Sequence, residues 1–205
     1  MRSYITEFTG TFFLVLTIGL AAAEPLGALA VGAVLTAMIY MGGPVSGAHY
    51  NPAVSLAMLL RGRLAVRDLI PYWISQFSAA IAAAAVARVV ADRNFGPMPG
   101  PGVGALSAIL VEILFTFAMV LVILNVATSR AASGNSYFGI AIGLSVAGAM
   151  LAGQKISGAA LNPAVGIAPN LLANQLGSMW IYVIGPAVGA IAATVVYKVQ
   201  HAGEA

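Results

Sequence analysis

Two long segments of the chain carry no charged side chain. Pro25 to Leu60 and Ile156 to Tyr197 contain no Asp, Glu, Lys or Arg. Both exceed the ~20 apolar residues that an α-helix needs to cross a bilayer. Because each is longer than one span, each must hold a complete membrane-spanning helix and a shorter piece that does not cross. This constraint predicts an all-α membrane protein.

The composition agrees with that class and argues against several functions. Hydrophobic residues make up 60% of the chain and charged residues 7%, and the mean hydropathy is +0.96, whereas soluble chains average about 25% charged residues. The absence of cysteine excludes disulfides and thiol nucleophiles. Two histidines and six scattered acidic residues favour neither a metal centre nor acid–base catalysis. We therefore expect no enzyme, no cofactor and no metal. The net charge of +3 comes from loop arginines and indicates no nucleic-acid partner.

The same tetrapeptide occurs once in each charge-free segment. Asn51-Pro52-Ala53-Val54 returns as Asn162-Pro163-Ala164-Val165, each time after a Ser-Gly-Ala turn, Ser46-Gly47-Ala48 and Ser157-Gly158-Ala159. An Asn amide needs hydrogen-bond partners and Pro cannot continue a preceding helix, so neither suits hydrocarbon. Both suit irregular backbone that lines a water-filled passage, followed by a helix that Asn caps and Pro begins.

Apolar length and the positions of Gly and Pro predict six membrane spans, with ends placed to within ~2 to 4 residues. They are Tyr4 to Ala23, Leu26 to Pro44, Leu69 to Val90, Ala105 to Thr128, Tyr137 to Gly153, and Ser178 to Val199. Pro52 to Leu60 and Pro163 to Leu172 are too short to cross, so they are predicted to enter the bilayer part-way as half-helices. The first apolar run, Phe8 to Ala23, lacks a convincing cleavage site, and we expect a membrane helix there rather than a signal peptide.

Three landmarks recur in the same order on both sides of a loop rich in Pro and Gly, residues 92–102, which we interpret as the hinge between two halves. Glu7 and Glu112 are 105 residues apart. The Asn-Pro-Ala triplets are 111 residues apart, and Gln76 and Pro186 are 110 apart. Offsets this similar indicate an internal duplication.

The duplicated halves, at about 1–95 and 103–205, are predicted to form one domain over 1–205. Each half has three spans, an odd number, so the second half must be inverted relative to the first. The half-helices then enter from opposite faces with their N-termini together. The positive-inside rule predicts cytoplasmic N- and C-termini for a protein of the plasma (inner) membrane. The cytoplasmic side would hold Arg2, Arg61, Arg63, Arg67, Arg130 and Lys198, against Arg88, Arg93 and Lys155 outside.

The point where the half-helices meet is predicted to select solutes. Each helix N-terminus carries about half a positive charge, which disfavours cations, and the Asn51 and Asn162 amides can donate to neutral oxygen atoms. Backbone carbonyls of the two turns would act as acceptors, at Gly47, Ala48, His49 and Tyr50 and at Gly158, Ala159, Ala160 and Leu161. A passage with one polar wall favours small uncharged solutes, so these and the lipid bilayer are the expected partners.

On these motifs the chain resembles the aquaporin, or major intrinsic protein, family over almost all of its length. The resemblance rests on the paired Glu-x-x-x-Thr-Phe segments, Ser-Gly-Ala-His-Tyr-Asn-Pro-Ala-Val, the second Asn-Pro-Ala, and the Gln76 and Pro186 pair. It implies an aquaporin-like fold with six transmembrane helices plus two re-entrant half-helices in an inverted repeat. It also implies a pore in each protomer of a homotetramer.

One position departs from the family pattern. Most members have Arg after the second triplet, in the outer filter, where this chain has Val165. The resemblance carries the other filter positions to Val31, Met150 and Ala159, so all four are apolar. Loss of a guanidinium removes five donors and a fixed charge, which argues against strict water selectivity. Filters of this kind resemble those of bacterial aquaglyceroporins associated with arsenic resistance. Metalloid hydroxides such as arsenite therefore rank first, followed by glycerol-like polyols, urea, hydrogen peroxide and water.

Several alternatives stay open from the sequence alone. The chain could be a water-selective channel, a proton-coupled transporter, an ion-leaky channel, or an adhesive or scaffolding membrane protein with a closed pore. Glu7 and Glu112 are expected to be structural acceptors for the turn N–H groups, with a proton relay as the alternative. His49 is expected to support its turn rather than to gate by pH. Four aromatic residues are interpreted as interfacial anchors or protomer contacts, namely Tyr72, Trp73, Trp180 and Tyr182.

Overall fold

The computed structural model describes residues 1–21 and 24–203, and these form eight α-helices. In chain order the helices are α1 (Arg2–Ala21), α2 (Gly27–Ser46), α3 (Pro52–Leu60), α4 (Val66–Ala91), α5 (Ala105–Thr128), α6 (Phe138–Ser157), α7 (Pro163–Leu172) and α8 (Ile181–Gln200). Six of them, all but α3 and α7, are long and apolar enough to cross a membrane. The predicted fold class, six spans plus two half-helices, is confirmed.

Two spans end two or more residues later than the sequence predicts, and glycine explains both ends. The predicted second span ends at Pro44, but α2 continues until Gly47 turns left-handed at φ 84°. Pro disturbs the helical turn before it rather than the residues after it. The predicted fifth span ends at Gly153, but α6 continues until Gly158 turns left-handed at φ 87°. Left-handed glycine is a common helix stop. The predicted end of the first span, Ala23, lies outside the described residues.

The helices pack as two similar sets of three spans. In the first half α1 packs against α2 and α4, and in the second half α5 packs against α6 and α8. The sets meet where α2 packs against α6. Both half-helices pack against α4 and α8, and α3 contacts α7. Each half-helix is therefore held between the last spans of the two halves, which brings the two Asn-Pro-Ala segments to the centre of the protein.

Small residues allow α2 and α6 to approach closely. A Cβ atom on Gly32 would overlap the carbonyl oxygen of Gly143, and a Cβ on Gly143 would overlap the carbonyl oxygen of Gly32. Thr36 Oγ1 donates across the same contact to the Gly139 carbonyl, 3.2 Å away. Backbone contact at small residues is how membrane helices associate, because burial from water supplies no driving force within lipid.

The Pro- and Gly-rich loop, residues 92–102, lies between α4 and α5 and is anchored to α7 and to the end of α6. Asn170 of α7 donates from Nδ2 to the Pro97 carbonyl at 2.8 Å, and the Gly100 N–H donates to the Ile156 carbonyl at 3.0 Å. Pro97 also packs so closely on Gly158 that a Cβ there would overlap it. The loop therefore covers the turn that precedes α7.

Candidate functional site

Both half-helices begin as their sequence predicts. Asn51 and Asn162 have extended backbone conformations and precede Pro at the first helical position. The side-chain oxygen of each Asn accepts the N–H of Ala53 or Ala164, at 2.9 Å in both cases. This is an N-cap, which satisfies one of the N–H groups that a helix start leaves unpaired.

The other ends of the two Asn amides tie the half-helices together. Asn51 Nδ2 donates to the Leu161 carbonyl at 2.8 Å, and Asn162 Nδ2 donates to the Tyr50 carbonyl at 2.9 Å. Each Asn thus caps its own half-helix and holds the turn that precedes the other one. Since an NH₂ group has two donors, one N–H of each Asn is left for other acceptors.

Glu7 of α1 supports the first turn from behind. Its Oε1 accepts from the Ser46 hydroxyl at 2.7 Å and the His49 N–H at 2.9 Å. Its Oε2 accepts from the Tyr50 N–H at 2.6 Å and from Gln76 Nε2 at 2.9 Å. Four donors directed at two oxygens suit an ionised carboxylate.

Glu112 of α5 supports the second turn in the same way. Its Oε1 accepts from the Ser157 hydroxyl at 2.7 Å and the Ala160 N–H at 3.0 Å, and its Oε2 accepts from the Leu161 N–H at 2.7 Å. Both glutamates are fully buried. They lie behind the turns, and neither is among the described residues that line the passage.

Left-handed residues give the two turns their shape. Within these two turns, besides Gly47 and Gly158, four residues that are not glycine have positive φ angles of 47–52°, namely Ala48, Tyr50, Ala159 and Leu161. Such conformations are costly for residues with a Cβ. The buried carboxylate hydrogen bonds offset this cost and hold the backbone carbonyls in place.

One polar cluster exists only in the first half of the described chain. Gln76 Nε2 donates to Ser55 Oγ at 2.9 Å as well as to Glu7, and Ser55 Oγ lies 3.1 Å from His49 Nδ1. Ser55 therefore links the Gln76 amide to the His49 ring. In the second half, the corresponding positions of Gln76, Ser55 and His49 are Pro186, Gly166 and Ala160. They cannot form this cluster.

The interpretation of Tyr72 and Tyr182 as interfacial anchors or protomer contacts is wrong. Both side chains are buried, at 5% and 0% exposure. The Tyr72 hydroxyl donates to the Ser46 carbonyl at 2.8 Å, and the Tyr182 hydroxyl donates to the Ser157 carbonyl at 2.6 Å. Each closes the helix end before its turn. Their matched spacing of 110 residues was the available sequence signal, equal to that of Gln76 and Pro186.

Three cavities follow one another through the described structure. The wide cavity, about 920 Å³, lies beside Arg63, Arg130 and His49. The central cavity, about 60 Å³, is lined by both Asn side chains and both turns. The loop cavity, about 400 Å³, is lined by residues 93–101. Gly47, His49 and Met58 line both the wide and the central cavity.

Neighbouring cavities also meet at the other end of the narrow section. Ile18, Met150, Ala159 and Val165 line both the central and the loop cavity. The three cavities therefore form a wide–narrow–wide path past the two half-helix starts. The described residues that line the central cavity include no Asp, Glu, Lys or Arg.

The four sequence-predicted filter residues come together at this narrow section. Val31, Met150, Ala159 and Val165 all line the central cavity, and all except Val31 also line the loop cavity. Val54, which precedes Val165 by 111 residues, lines the central cavity alone. The internal symmetry is thus broken at the end of the path where Val165 lies.

These features define a class of protein. A multi-pass helical membrane protein whose two half-helices meet across a narrow passage without charged side chains is a channel for small solutes. Among the described residues, no group of three or more His, Cys, Asp or Glu side chains is arranged to hold a metal ion.

Comparisons with known proteins give the family. The model of the family described as major intrinsic protein matches residues 1–197, and the chain belongs to this family. It is 36% identical to glycerol uptake facilitator protein-like 6 of Lactiplantibacillus plantarum, with 98% of both chains covered. It is 35% identical to aquaporin Z of Brucella melitensis biotype 1, with 94% of each covered. The aquaglyceroporin of Plasmodium falciparum has the same fold, with a TM-score of 0.86 at 21% identity, covering 96% of this chain and 94% of that one. The protein is a non-enzymatic membrane channel.

Proposed function

We propose that the protein is a passive, bidirectional channel for small uncharged solutes, with metalloid hydroxides such as arsenite as the preferred class. Glycerol-like polyols, hydrogen peroxide and water are the further solutes. The observation that supports the proposal is that four apolar residues, Val31, Met150, Ala159 and Val165, line the central cavity. An apolar lining offers a strongly hydrated molecule little replacement for its water, whereas a neutral hydroxide presents bulk as well as hydroxyl groups.

The polar wall of the passage would bind the hydroxyl groups in turn. Asn51 and Asn162 each have a second N–H beyond the one that ties the half-helices together. The carbonyl groups of the turns 47–50 and 158–161 supply the acceptors. A solute crossing this section would exchange hydrogen bonds along one wall while its bulk contacts apolar side chains on the other. This arrangement favours molecules that carry both hydroxyl groups and bulk that can contact apolar side chains.

Positive helix ends support the exclusion of cations. The starts of α3 and α7 lie at the same point of the path, where their unpaired N–H groups and dipoles add. Moving a cation there would cost more than moving a neutral solute, and the lining supplies no acid to compensate. Names of relatives are consistent with uncharged cargo, since one is a glycerol uptake facilitator protein-like chain and one solved neighbour is an aquaglyceroporin.

The direct test is a solute panel in proteoliposomes. Vesicles containing the protein should swell or take up arsenite and glycerol faster than empty vesicles, and the rate should not change when a proton gradient is imposed. A rate that follows the proton gradient would instead indicate a coupled transporter. Ion current that matches the uncharged solute flux would indicate a leaky channel.

Water selectivity is the second candidate, and the size of the central cavity favours it. A volume of about 60 Å³ holds on the order of four water molecules. A space of this volume accommodates water more readily than a larger hydroxide. Water permeation with no arsenite or glycerol flux in the same vesicles would establish this candidate and exclude the first.

We further propose that the N- and C-termini are cytoplasmic in the plasma membrane, that the halves are about 1–95 and 103–205, and that the channel is a homotetramer. Arg63 and Arg130 lie at the wide cavity and Arg93 at the loop cavity, which supports the wide cavity as the cytoplasmic mouth. Because the chain has no cysteine, single-cysteine variants at Ser3 and Pro101 can be labelled cleanly from either side. Native mass spectrometry measures the oligomeric state.

A further inference from the structure

We propose that Arg93 determines charge selectivity by repelling cations at the mouth of the loop cavity. This inference rests on the proposed function, a channel for uncharged solutes. Since no charged side chain in the described part of the chain lines the central cavity, the charge that repels cations is assigned to the mouth. Arg93 lines the loop cavity together with Met150, Ala159 and Val165. It is the one charged side chain among the described residues that line this cavity. An ion that enters through this cavity therefore meets the field of one fixed positive charge.

The end of α4 directs Arg93 toward the mouth. Asp92 follows α4 in the left-handed conformation, φ 47°, which turns the chain back over the spans. Arg93 Nη2 then lies 3.3 Å from the Leu20 carbonyl and 3.5 Å from the Gly19 carbonyl. These carbonyls belong to the last turn of α1, where a helix carries partial negative charge. The end of α1 therefore holds the guanidinium at the mouth.

The rest of the loop fixes the position of this mouth. Asn170, itself fully buried, donates to the Pro97 carbonyl, and the Gly100 N–H donates to the Ile156 carbonyl. The loop is thereby attached to the same half that supplies Met150, Ala159 and Val165. A charge on the loop keeps a defined position relative to the narrow section.

A fixed charge at the mouth distinguishes solutes by their charge rather than by their size. A guanidinium stays positively charged at every pH that proteins tolerate, so it raises the energy of a cation at the mouth without obstructing a neutral solute. In an environment partly filled with water, one such charge changes cation entry by about three- to tenfold. The Nη2 contacts occupy part of its five donors, and the others can solvate an entering hydroxyl group.

The test measures cation leak in proteoliposomes with the full chain, normalised to glycerol flux in the same vesicles. Arg93→Gln removes the charge and keeps a polar side chain, and it should raise Na⁺ leak about three- to tenfold. Arg93→Glu should raise it further, and Arg93→Lys should keep it near the wild-type value. Arg88→Gln is the matched control, because Arg88 is exposed on the same end of α4 but does not line the loop cavity.

Ionic strength distinguishes charge from structure. The Debye length falls from ~30 Å at 0.01 M salt to ~3 Å at 1 M, so the difference between Arg93→Gln and wild type should shrink over that range. A leak in the Arg93→Gln and Arg93→Glu variants that equals the wild-type leak, with glycerol flux present, would overturn the role of Arg93 alone. A leak that rises equally in Arg93→Lys would also overturn it. Absence of uncharged solute flux in wild-type vesicles would overturn the proposed function itself.

Discussion

The side chain at position 165 lies where the narrow section opens into the loop cavity. Val165 is buried, at 3% exposure, and contacts both spaces, whereas its internal counterpart Val54 lines the central cavity alone. A longer side chain here can extend toward the loop cavity without displacing the half-helix. We therefore expect substitutions at this position to change which solutes pass.

Introducing the missing guanidinium should change the solute preference. In Val165→Arg, five donors and a positive charge enter the narrow section, so arsenite and glycerol flux should fall about tenfold, equivalent to ~1.4 kcal/mol, while water permeation is retained. Stopped-flow light scattering on reconstituted vesicles measures both rates. Val165→Leu adds bulk without donors and serves as the control. An unchanged ratio of solute to water permeability in Val165→Arg would mean that position 165 lies outside the filter.

The two buried glutamates differ in how many donors they satisfy. Glu7 accepts four hydrogen bonds, including one from Gln76, whereas Glu112 accepts three. Position 186, opposite Gln76 in the repeat, is Pro and has no side-chain donor. The first turn is therefore the more dependent on its carboxylate.

Replacing each carboxylate by an amide tests that difference. Glu7→Gln and Glu112→Gln point an NH₂ group at backbone N–H donors, so each should cost about 2 kcal/mol or more of folding free energy. Glu7→Gln should be the more destabilising of the two. Thermal unfolding in detergent, followed by near-UV circular dichroism, measures the order. Equal stability of Glu7→Gln and wild type would contradict the structural role and favour the proton relay.

At the scale of elements, the two half-helices stabilise each other. The reciprocal bonds from Asn51 to Leu161 and from Asn162 to Tyr50 place each cap residue under the opposite turn. Neither half-helix is long enough to hold its position in a bilayer alone. The junction is therefore a cooperative unit rather than two independent helix starts.

A double-mutant cycle at the junction measures that cooperativity. Asn51→Ala and Asn162→Ala should each cost about 1 to 2 kcal/mol, for the lost cap and the lost tie. The double variant should cost less than the sum by about 0.5 kcal/mol or more, because losing one bond already loosens the turn that carries the other. Chemical unfolding in mixed micelles gives the three free energies. Strict additivity would show that the half-helices fold independently.

The elements were largely predictable from the chain, and their ends less so. Length and hydropathy locate six spans, and Asn followed by Pro locates the starts of α3 and α7, because these signals are local. The ends of α2 and α6 depend on the left-handed conformations of Gly47 and Gly158. Glycine is common along this chain, 23 residues in all, so sequence alone does not show which ones adopt positive φ.

Contacts between distant segments set the limit of prediction at the site. The internal repeat indicates that Glu7 and Glu112 play equivalent roles, but it does not reveal the hydroxyl bonds of Tyr72 and Tyr182 across 25 or 26 residues. Nor does it show that the loop after α4 is anchored by Asn170. Both contacts depend on how separate helices pack against each other. The sequence gives the spacing of these residues along the chain but not the neighbours that their side chains meet.

At the scale of the whole molecule, the path runs between halves that are joined by close helix contact. The α2 and α6 backbones meet at Gly32 and Gly143, and residues of both helices, including Val31 and Met150, line the central cavity. Separation of α2 from α6 would therefore move two sides of the narrow section apart. The width of the passage therefore depends on how closely the two halves pack.

A pair of identical substitutions on α6 tests this coupling. In Gly143→Ala the added methyl group would overlap the Gly32 carbonyl and Thr36 Oγ1, whereas at Gly148 nothing lies within 4 Å of the added atom. Gly148→Ala should stabilise the helix by up to about 1 kcal/mol, the difference in helix propensity. Gly143→Ala should lower the unfolding temperature and alter the arsenite-to-water permeability ratio, because α2 must shift away from α6. Measuring both variants in the same vesicles separates packing from propensity, and a Gly143→Ala channel with wild-type stability and permeability would show that the halves do not depend on this contact.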